Sequence, residues 1–331
     1  MPEHLTLDAS IDPIAWTSFG SLGGNNPFTV TNSPTLTKTY RQHYYAAVSW
    51  ADFVAGQVLD ELDALGLTEN TLVVMHRYRQ TFLPYLFTYS SRNLLGIHNY
   101  LPSFLPSFLP SFLPSSDHGW HLGEYNMWEK RTLWENSARV PLVIRAPWLK
   151  AMIGKRSQEL VELVDIYRTV HDLAGVALPS AETYPVEGTS LAPLLGGEGT
   201  WSSKVALTMY PRCPPGEPDW KDDACIHTIE RSEFAFMGYS MRVDAVFDEL
   251  SYRYTEWVAW NGTSLTPMWG DVHSIELYNH SQPCRKGTIF DCYENVNVVK
   301  AAPKGLVEEL AATLRRANGF TLPRSVTKSY D

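Results

Sequence analysis

The chain has 331 residues, of which 44% are hydrophobic and 12% aromatic, and its formal net charge is -9. This length and hydrophobic fraction suffice for one large α/β domain, or for a domain with a smaller partner. An acidic chain does not offer the broad basic surface that polyanions require, although a small basic pocket could still hold a single anionic group. We therefore expect no nucleic-acid partner.

The beginning of the chain carries no recognisable targeting segment. Residues 1–8 lack the basic stretch followed by an apolar stretch that defines a signal peptide, and we expect no membrane span because no run of about 18 apolar residues occurs. Residues 1–39 are rich in Pro, Gly, Asn, Ser and Thr and show no sustained period. This composition predicts an extended loop region.

The next elements alternate in the manner of an α/β sheet. Apolar residues recur at helical spacing from Tyr40 to Leu65, and Gly66 stands where a helix would end. Residues 71–75 then read Thr-Leu-Val-Val-Met, which is typical of a short buried strand. A helix followed by a strand favours an α/β fold.

Residues 76–115 interrupt this pattern. They contain the repeat Leu101-Pro102-Ser103-Phe104, and proline at every fourth residue is incompatible with a helix interior or a central strand. We predict an irregular low-complexity insert outside the sheet, with Val73 and Ser116 close in space. Its origin is either a retained intron or a genuine surface insertion.

Regular patterns return after the insert. Residues 139–145 predict a strand, and residues 159–173 predict an amphipathic helix that Gly175 ends. After residue 200 the periodicity changes to alternation. We therefore predict a partial α/β core over residues 40–200, followed by a smaller α+β subdomain over residues 201–331. Its predicted elements are antiparallel strands at 205–210, 237–243 and 252–260 and a final helix at 304–318.

The cysteines and two short motifs bear on the cellular compartment. Cys213, Cys225, Cys284 and Cys292 permit two disulfides. Pairing of Cys284 with Cys292 and pairing of Cys213 with Cys225 are both local, so the connectivity stays open. Residues 261–263 (Asn-Gly-Thr) and 279–281 (Asn-His-Ser) are glycosylation acceptors only if the chain enters the secretory route.

The densest group of chemically useful residues runs from Ser116 to Lys130. Without the insert, this run would stand at the C-terminal end of the strand at residues 71–75, where open α/β sheets bind ligands. Asp117 offers oxygen to a cation, His118 offers an imidazole, and Lys130 offers a positive charge to an oxyanion. An isolated Asp-His-Gly could equally cap a turn.

Residues 116–130, together with 138–143, resemble the second metal-binding segment of the sulfatase family. Residues 44–52 and 160–167 are similar to helices of that family, and residues 237–242, 252–257 and 276–278 match the C-terminal subdomain of its iduronate-2-sulfatase branch. Trp120 and Trp128 favour that branch over the arylsulfatases. The resemblance implies part of an alkaline-phosphatase-like α/β fold, in which the C-terminal sheet forms a smaller subdomain.

The resemblance also implies roles for individual residues. Asp117 and His118 would lie at a calcium site, Lys130 would contact the sulfate ester, and Trp120 and His121 would line the sugar side of the pocket. Structural roles for Trp120 and His121, as a packed Trp and a solvated His, are the alternative. Asp117 and His118 alone supply too few ligands for calcium.

The family's nucleophile is a cysteine within Cys-x-Pro-Ser-Arg that is oxidised to formylglycine, and none of the four cysteines has that context. We therefore assign no catalytic residue and expect the chain, as a truncated C-terminal part, to be inactive by itself. The implied function is hydrolysis of sulfate esters on uronic acids of glycosaminoglycans. The alternatives are a non-catalytic sulfatase-like glycan-binding or structural protein and a phosphodiesterase of the same superfamily. The family implies a lysosomal or secreted location, a sulfated sugar as substrate and, for a full-length form only, a formylglycine-generating enzyme as partner.

Overall fold

A computed structural model describes residues 8–16, 32–75, 86–88, 118–180, 186–197, 205–214, 229–247, 250–281, 294–303 and 305–319. The helices are α1 (Pro34–Ala64), α2 (Glu135–Ala138), α3 (Asp165–Ala174), α4 (Ala192–Gly196) and α5 (Leu306–Ala317). The strands are β1 (Thr71–Met75), β2 (Leu86–Thr88), β3 (His121–Leu122), β4 (Trp128–Glu129), β5 (Val143–Arg145), β6 (Val205–Arg212), β7 (Phe236–Phe247), β8 (Leu250–Asn261) and β9 (Thr266–Asn279). None of the helices in these ranges has the length and hydropathy needed to cross a membrane.

The chain forms two compact units, each assembled from separate segments. One contains Met1–Tyr40, Gly119–Arg139 and Lys204–Asp331, and the other contains Arg41–His118 and Val140–Ser203. The change near residue 203 lies close to the domain border predicted at residue 200. The structure differs at Gly119–Arg139, which groups with the later residues because its apolar side chains pack against the C-terminal sheet.

Helix α1 begins at Pro34, six residues before its predicted start, so residues 34–39 are not an extended loop. The backbone N–H of Leu36 donates to Ser33 Oγ at 3.2 Å, which caps the helix, and proline is well tolerated in a first turn. Earlier in the chain, Pro13–Ala15 form a 3-10 turn capped by Asp12, and Ile14 is fully buried. The first 39 residues therefore include core contacts that their composition did not predict.

The unit with residues 41–118 and 140–203 contains a three-stranded sheet in the order β2-β1-β5, in which both pairings are antiparallel. Strands β1 and β5 confirm two predictions. Strand β2 corrects the expectation for residues 76–115, because Leu86–Thr88 pair with Thr71–Val73 and satisfy the backbone groups on one edge of β1. The other insert residues and Ser116 lie outside the described ranges.

Helix α3 covers one side of this sheet, with Ile166 and Val170 packed against Leu72. The helix begins at Asp165 rather than at the predicted residue 159, because the Asp165 carboxylate accepts from the N–H of Glu162 at 2.9 Å and fixes a turn there. Gly175 ends α3 with φ 63, as predicted. Helices packed beside a sheet confirm the α/β class.

The other unit contains an antiparallel sheet in the order β6-β7-β8-β9. Strands β6, β7 and β8 and the final helix α5 confirm four predicted elements, although β7 extends to Phe247. Strand β9 was not predicted as a strand, since Pro267 and Gly270 obscure its alternation. Helix α5 inserts three fully buried leucines against the sheet, each stabilising the fold by roughly 1.5–3 kcal/mol; they are Leu306, Leu310 and Leu314.

Candidate functional site

Residues Gly119–Arg139, here called the site segment, carry most of the residues that the sequence singled out. Strands β3 and β4 pair within it, and its first residue is tied to its last turn because Gly119 N donates to Ser137 O at 2.7 Å. A Cβ atom on Gly119 would lie 1.8 Å from the carbonyl oxygen of Asn136. Only glycine fits at this close approach, so the segment depends on the residue that follows His118.

The backbone of the site segment is strained at three non-glycine residues. Tyr125, Asn126 and Arg131 have φ values of 54, 59 and 85, and only one further non-glycine residue with positive φ occurs among the described residues. Each such conformation costs on the order of 1–3 kcal/mol and persists only where the surroundings enforce it. All three residues are buried. Strain of this kind concentrates at functional sites, so it motivates a functional hypothesis for the segment.

His121 lies on β3 and is completely buried. Thr132 Oγ1 donates to Ser137 Oγ at 2.7 Å, so His121 Nε2, at 3.0 Å from Thr132 Oγ1, must be the donor in that contact. His121 Nδ1 then presents a lone pair for which the described residues offer no hydrogen-bond partner. Burial lowers the pKa of His121 to about 4, against the opposing effect of the Glu294 charge. The imidazole is therefore neutral at pH 7.

Three buried donors converge on one carboxylate and anchor the site segment to the sheet. Trp134 Nε1 donates to Glu276 Oε2 at 2.9 Å, Trp257 Nε1 donates to Glu276 Oε1 at 2.6 Å, and the Tyr278 hydroxyl donates to Oε2 at 2.6 Å. Burial raises the pKa of Glu276, and the three donors act against that shift. This arrangement fixes Trp134 of the site segment against Glu276 and Tyr278 of β9.

Glu135, the residue after Trp134, belongs to a second buried network of hydrogen bonds and ion pairs. The guanidinium of Arg253 donates from Nη2 to Glu135 Oε2 and from Nε to Glu294 Oε1, both at 2.5 Å. His280 Nε2 lies 3.0 Å from Glu294 Oε1, and the backbone N–H of Glu135 donates to Glu294 Oε2 at 2.6 Å. Burial acts to raise the pKa of Glu294, but Arg253 and His280 outweigh it and hold that pKa at about 2.

Glu135, His280 and Glu294 place three potential metal-ligand atoms within 4.8 Å of one another. All four carboxylate oxygens of the two glutamates already accept hydrogen bonds, from Arg139, Arg253, His280 and the backbone of Glu135. The guanidinium of Arg253 supplies the compensating positive charge, and a metal ion would have to displace it. The group therefore works as a closed ion-pair network.

The structure locates the sequence-predicted site residues as follows. Asp117 lies outside the described residues. His118 and Trp120 are half-buried on either side of Gly119, and Lys130 is half-buried between β4 and the strained Arg131. His121 is fully buried, so the solvated alternative is wrong, and its place on the sugar side of a pocket stays a prediction. Calcium requires about six to eight oxygen ligands. Of the two predicted ligands only His118 is among the described residues, which therefore do not complete a calcium site, and we derive no step through calcium.

Comparison with known proteins finds sequence similarity to sulfatases, and the matched family includes most of the site segment. The family described as N-sulphoglucosamine sulphohydrolase, C-terminal, matches residues 123–228. The chain is 26% identical over 279 residues to the iduronate 2-sulfatase of Mus musculus, a match that covers 72% of this chain and 41% of that protein. It is 34% identical over 137 residues to the N-acetylglucosamine-6-O-sulfatase of Bacteroides thetaiotaomicron, covering 40% of this chain and 24% of that enzyme.

One solved structure is of a protein described as being in complex with its substrate, D-glucosamine-2-N,6-O-disulfate. Its sequence is 22% identical to this chain and the TM-score is 0.47; the match covers 80% of this chain and 37% of that one. In these sequence matches the chain is similar to sulfatases, and the matching family model describes a C-terminal part. Among individual sulfatases it is similar to iduronate 2-sulfatases, and it spans about 41% of the length of the one from Mus musculus.

Sequence reasoning missed the residues that hold the site segment in place. Arg253 and Glu276 appeared only within strand motifs, and Glu135 and Glu294 were not singled out. Alternation gave no signal for Arg253 and Glu276. It places them on the side of the sheet opposite to the core residues Tyr252, Tyr254 and Leu277, where polar residues are expected. Their partners in the site segment, Trp134 and Glu135, lie more than 100 residues away along the chain, and no local pattern connects them.

Proposed function

We propose that the chain contributes the sulfate-binding part of a sulfuric ester hydrolase that acts on sulfated uronic acid residues of glycosaminoglycans. The observation that carries this proposal is the strained and internally anchored site segment, most of which falls within the residues matched by the sulfatase family. Lys130 belongs to that matched range and would contact the sulfate ester. A cation beside the sulfate oxygens stabilises the negative charge that they carry during transfer. Trp120 would lie on the sugar side.

Two parts of the proposal rest on resemblance to the sulfatases. Asp117 and His118 would lie at a calcium site, for which further oxygen ligands are needed. No cysteine stands within Cys-x-Pro-Ser-Arg, so the attacking group is not assigned to any residue of this chain. We therefore expect no turnover of a sulfated uronide by the chain alone. The same observation favours a second candidate function, a non-catalytic sulfatase-like protein that binds sulfated glycans.

The cellular location is also part of the proposal. Cys213 is disulfide-bonded, and stable disulfides are typical of proteins in oxidising compartments. We infer that the protein enters the secretory route and resides in lysosomes or outside the cell.

The binding part is tested by calorimetric titration of the chain with a 2-O-sulfated uronide, its unsulfated counterpart and the corresponding phosphate ester. We expect selective binding of the sulfated sugar, weakened about 10- to 100-fold by Lys130→Ala, because a charge-assisted contact contributes about 1.5–3 kcal/mol. Lys155→Ala, which removes an exposed lysine outside the site segment, is the matched control. Equal affinity for the sulfated and unsulfated sugars would contradict the proposal, and preference for the phosphate ester would favour a phosphodiesterase.

The choice between hydrolase and non-catalytic protein is tested at the transcript. Sequencing the 5′ end of the mature messenger RNA shows whether Cys-x-Pro-Ser-Arg is encoded in frame with the residues printed here. Its presence supports the hydrolase. An in-frame stop codon directly upstream of Met1 supports the non-catalytic protein.

A further inference from the structure

We propose that Asn261 is an N-glycosylation site of this protein and that Asn279, which stands in the same type of motif, is not glycosylated. The inference goes beyond the proposed function. It depends on the secretory route but not on any sulfate chemistry. Both asparagines belong to the β8–β9 hairpin, so the structure compares two acceptor motifs in one element.

Asn261 is presented at the tip of this hairpin. It ends β8, and the four residues that follow it connect to β9, which begins at Thr266. Asn261 and Thr263 are both exposed. The amide oxygen of Asn261 accepts from the backbone N–H groups of Thr263 and Ser264 at 3.0 and 3.1 Å, while its amide nitrogen has no hydrogen-bond partner among the described residues. An exposed loop tip with a free amide nitrogen is accessible to a modifying enzyme.

The hydroxyl of the Asn261 motif is accessible as well. The backbone N–H of Thr263 is used in the turn, and no hydrogen bond of the Thr263 hydroxyl is found within the described part of the chain. The middle residue, Gly262, packs against the backbone near residue 232, where a Cβ atom would lie 1.8 Å from the Ser232 carbonyl oxygen. The turn therefore contacts the rest of the protein through Gly262. The side chains of Asn261 and Thr263, which a transferase recognises, stay exposed.

The Asn279 motif is built into the fold instead. Asn279 pairs with Tyr252 at the end of β9 and is half-buried, and its amide oxygen accepts from Ser281 N at 2.8 Å. Ser281 Oγ accepts from Ser251 N at 2.8 Å and also contacts Ser251 O at 3.4 Å. His280, between the two motif residues, is 7% exposed and donates to Glu294. A transferase could engage this motif only by unpairing β9 and opening the Arg253 network.

The modification is a group transfer whose donor is an oligosaccharide carried on a polyprenyl pyrophosphate. The amide nitrogen of Asn261 forms a bond to the anomeric carbon of the sugar. The bond from that carbon to the pyrophosphate oxygen breaks, and the pyrophosphate leaves with the electron pair. The amide proton passes to a base of the transferase. The disulfide at Cys213 supports residence in the oxidising compartment where such donors are used in eukaryotic cells.

The test uses the full chain expressed with an export signal in eukaryotic cells. The secreted protein is deglycosylated enzymatically in ¹⁸O-water, which converts each formerly glycosylated Asn into ¹⁸O-labelled Asp, and its peptides are analysed by mass spectrometry. We expect label at position 261 and none at 279. Label at 279, at both positions or at neither would overturn the proposal.

Two variants test whether the glycan is attached through the motif at residues 261–263. Thr263→Ala keeps the Asn261 side chain but removes the motif hydroxyl, and it should abolish the glycan-dependent shift in electrophoretic mobility. Asn279→Gln should leave that shift unchanged. A shift that persists in Thr263→Ala, or that is lost in Asn279→Gln, contradicts the assignment. Because the readout is a glycan, failure of sulfate binding would not affect it.

Discussion

Nη2 of Arg253 lies 2.5 Å from Oε2 of Glu135, and this ion pair joins two residues that are 118 positions apart in the chain. Glu135 begins α2 within the site segment, whereas Arg253 lies on β8. Both side chains are almost completely buried, at 6% and 3% exposure. Because buried charges are tolerated only when they are paired, the pair makes the position of the site segment depend on the C-terminal sheet.

Replacing Arg253 by Met should strongly destabilise the protein. Glu135 and Glu294 would both remain buried without their main cationic partner, and a broken buried pair typically costs about 3–5 kcal/mol. Arg139→Met is the matched control. It removes a half-exposed arginine from the same Glu135 and should cost less than about 1 kcal/mol. Urea denaturation followed by tryptophan fluorescence measures both variants, and equal losses would contradict the assigned role of Arg253.

Glu276→Leu should destabilise the protein by at least about 3 kcal/mol. The substitution leaves three buried donors without their acceptor, those of Trp134, Trp257 and Tyr278, and each unsatisfied donor costs about 1–3 kcal/mol. Asp271→Leu changes an exposed acidic residue on the same strand and should alter the free energy of unfolding by less than about 0.5 kcal/mol. Similar midpoints of thermal unfolding for the two variants would count against the Glu276 cluster as an anchor.

Gly119→Ala should impair both stability and binding. The added methyl group would meet the Asn136 carbonyl oxygen at 1.8 Å, and overpacking against the backbone costs about 1–3 kcal/mol. Affinity for a sulfated uronide should fall as well, because the segment that carries Lys130 has to move. Gly56→Ala, in α1 with no atom within 4 Å of the new methyl group, should instead raise stability by about 0.5–1 kcal/mol. Unaltered stability and affinity in Gly119→Ala would show that the segment can relax.

The stability of the protein should decrease as the pH falls from 6.5 to 4. The pKa of His121 is about 4 in the folded protein and 6.5 in the unfolded chain. Between these pH values the unfolded chain therefore binds a proton that the folded protein does not. This contribution to stability is fully present above pH 6.5, and roughly 3 kcal/mol of it has been lost by the time the pH reaches 4. Glu294, with its pKa held at about 2, adds a further loss between about pH 4.5 and 2.

The control for this pH dependence is His121→Gln, whose amide N–H can replace the Nε2 donor to Thr132 without titrating. Its free energy of unfolding should change less than that of the unsubstituted protein between pH 6.5 and 5. Parallel pH profiles of the two proteins, measured by urea denaturation at a series of pH values, would exclude His121 as the titrating group.

Local patterns in the sequence determined several elements and the resemblance to the sulfatases. Helical spacing around Leu310 and alternation around Met241 predict α5 and β7, because such patterns report which side of an element is buried. The run from Asp117 to Lys130 carried the sulfatase resemblance, since its residue types are adjacent in the chain. Those features can be recognised without knowing what packs against them.

The tertiary structure decided which polar residues are buried together and what they do. His121 stands next to Trp120 in the sequence, yet it faces the interior because β3 turns it toward Thr132. Arg253 and Glu276 are ordinary charged residues in a strand until the site segment brings Glu135 and Trp134 to them. Electrostatic and hydrogen-bond energies depend on distance in space, and the fold alone sets that distance for residues more than 100 positions apart.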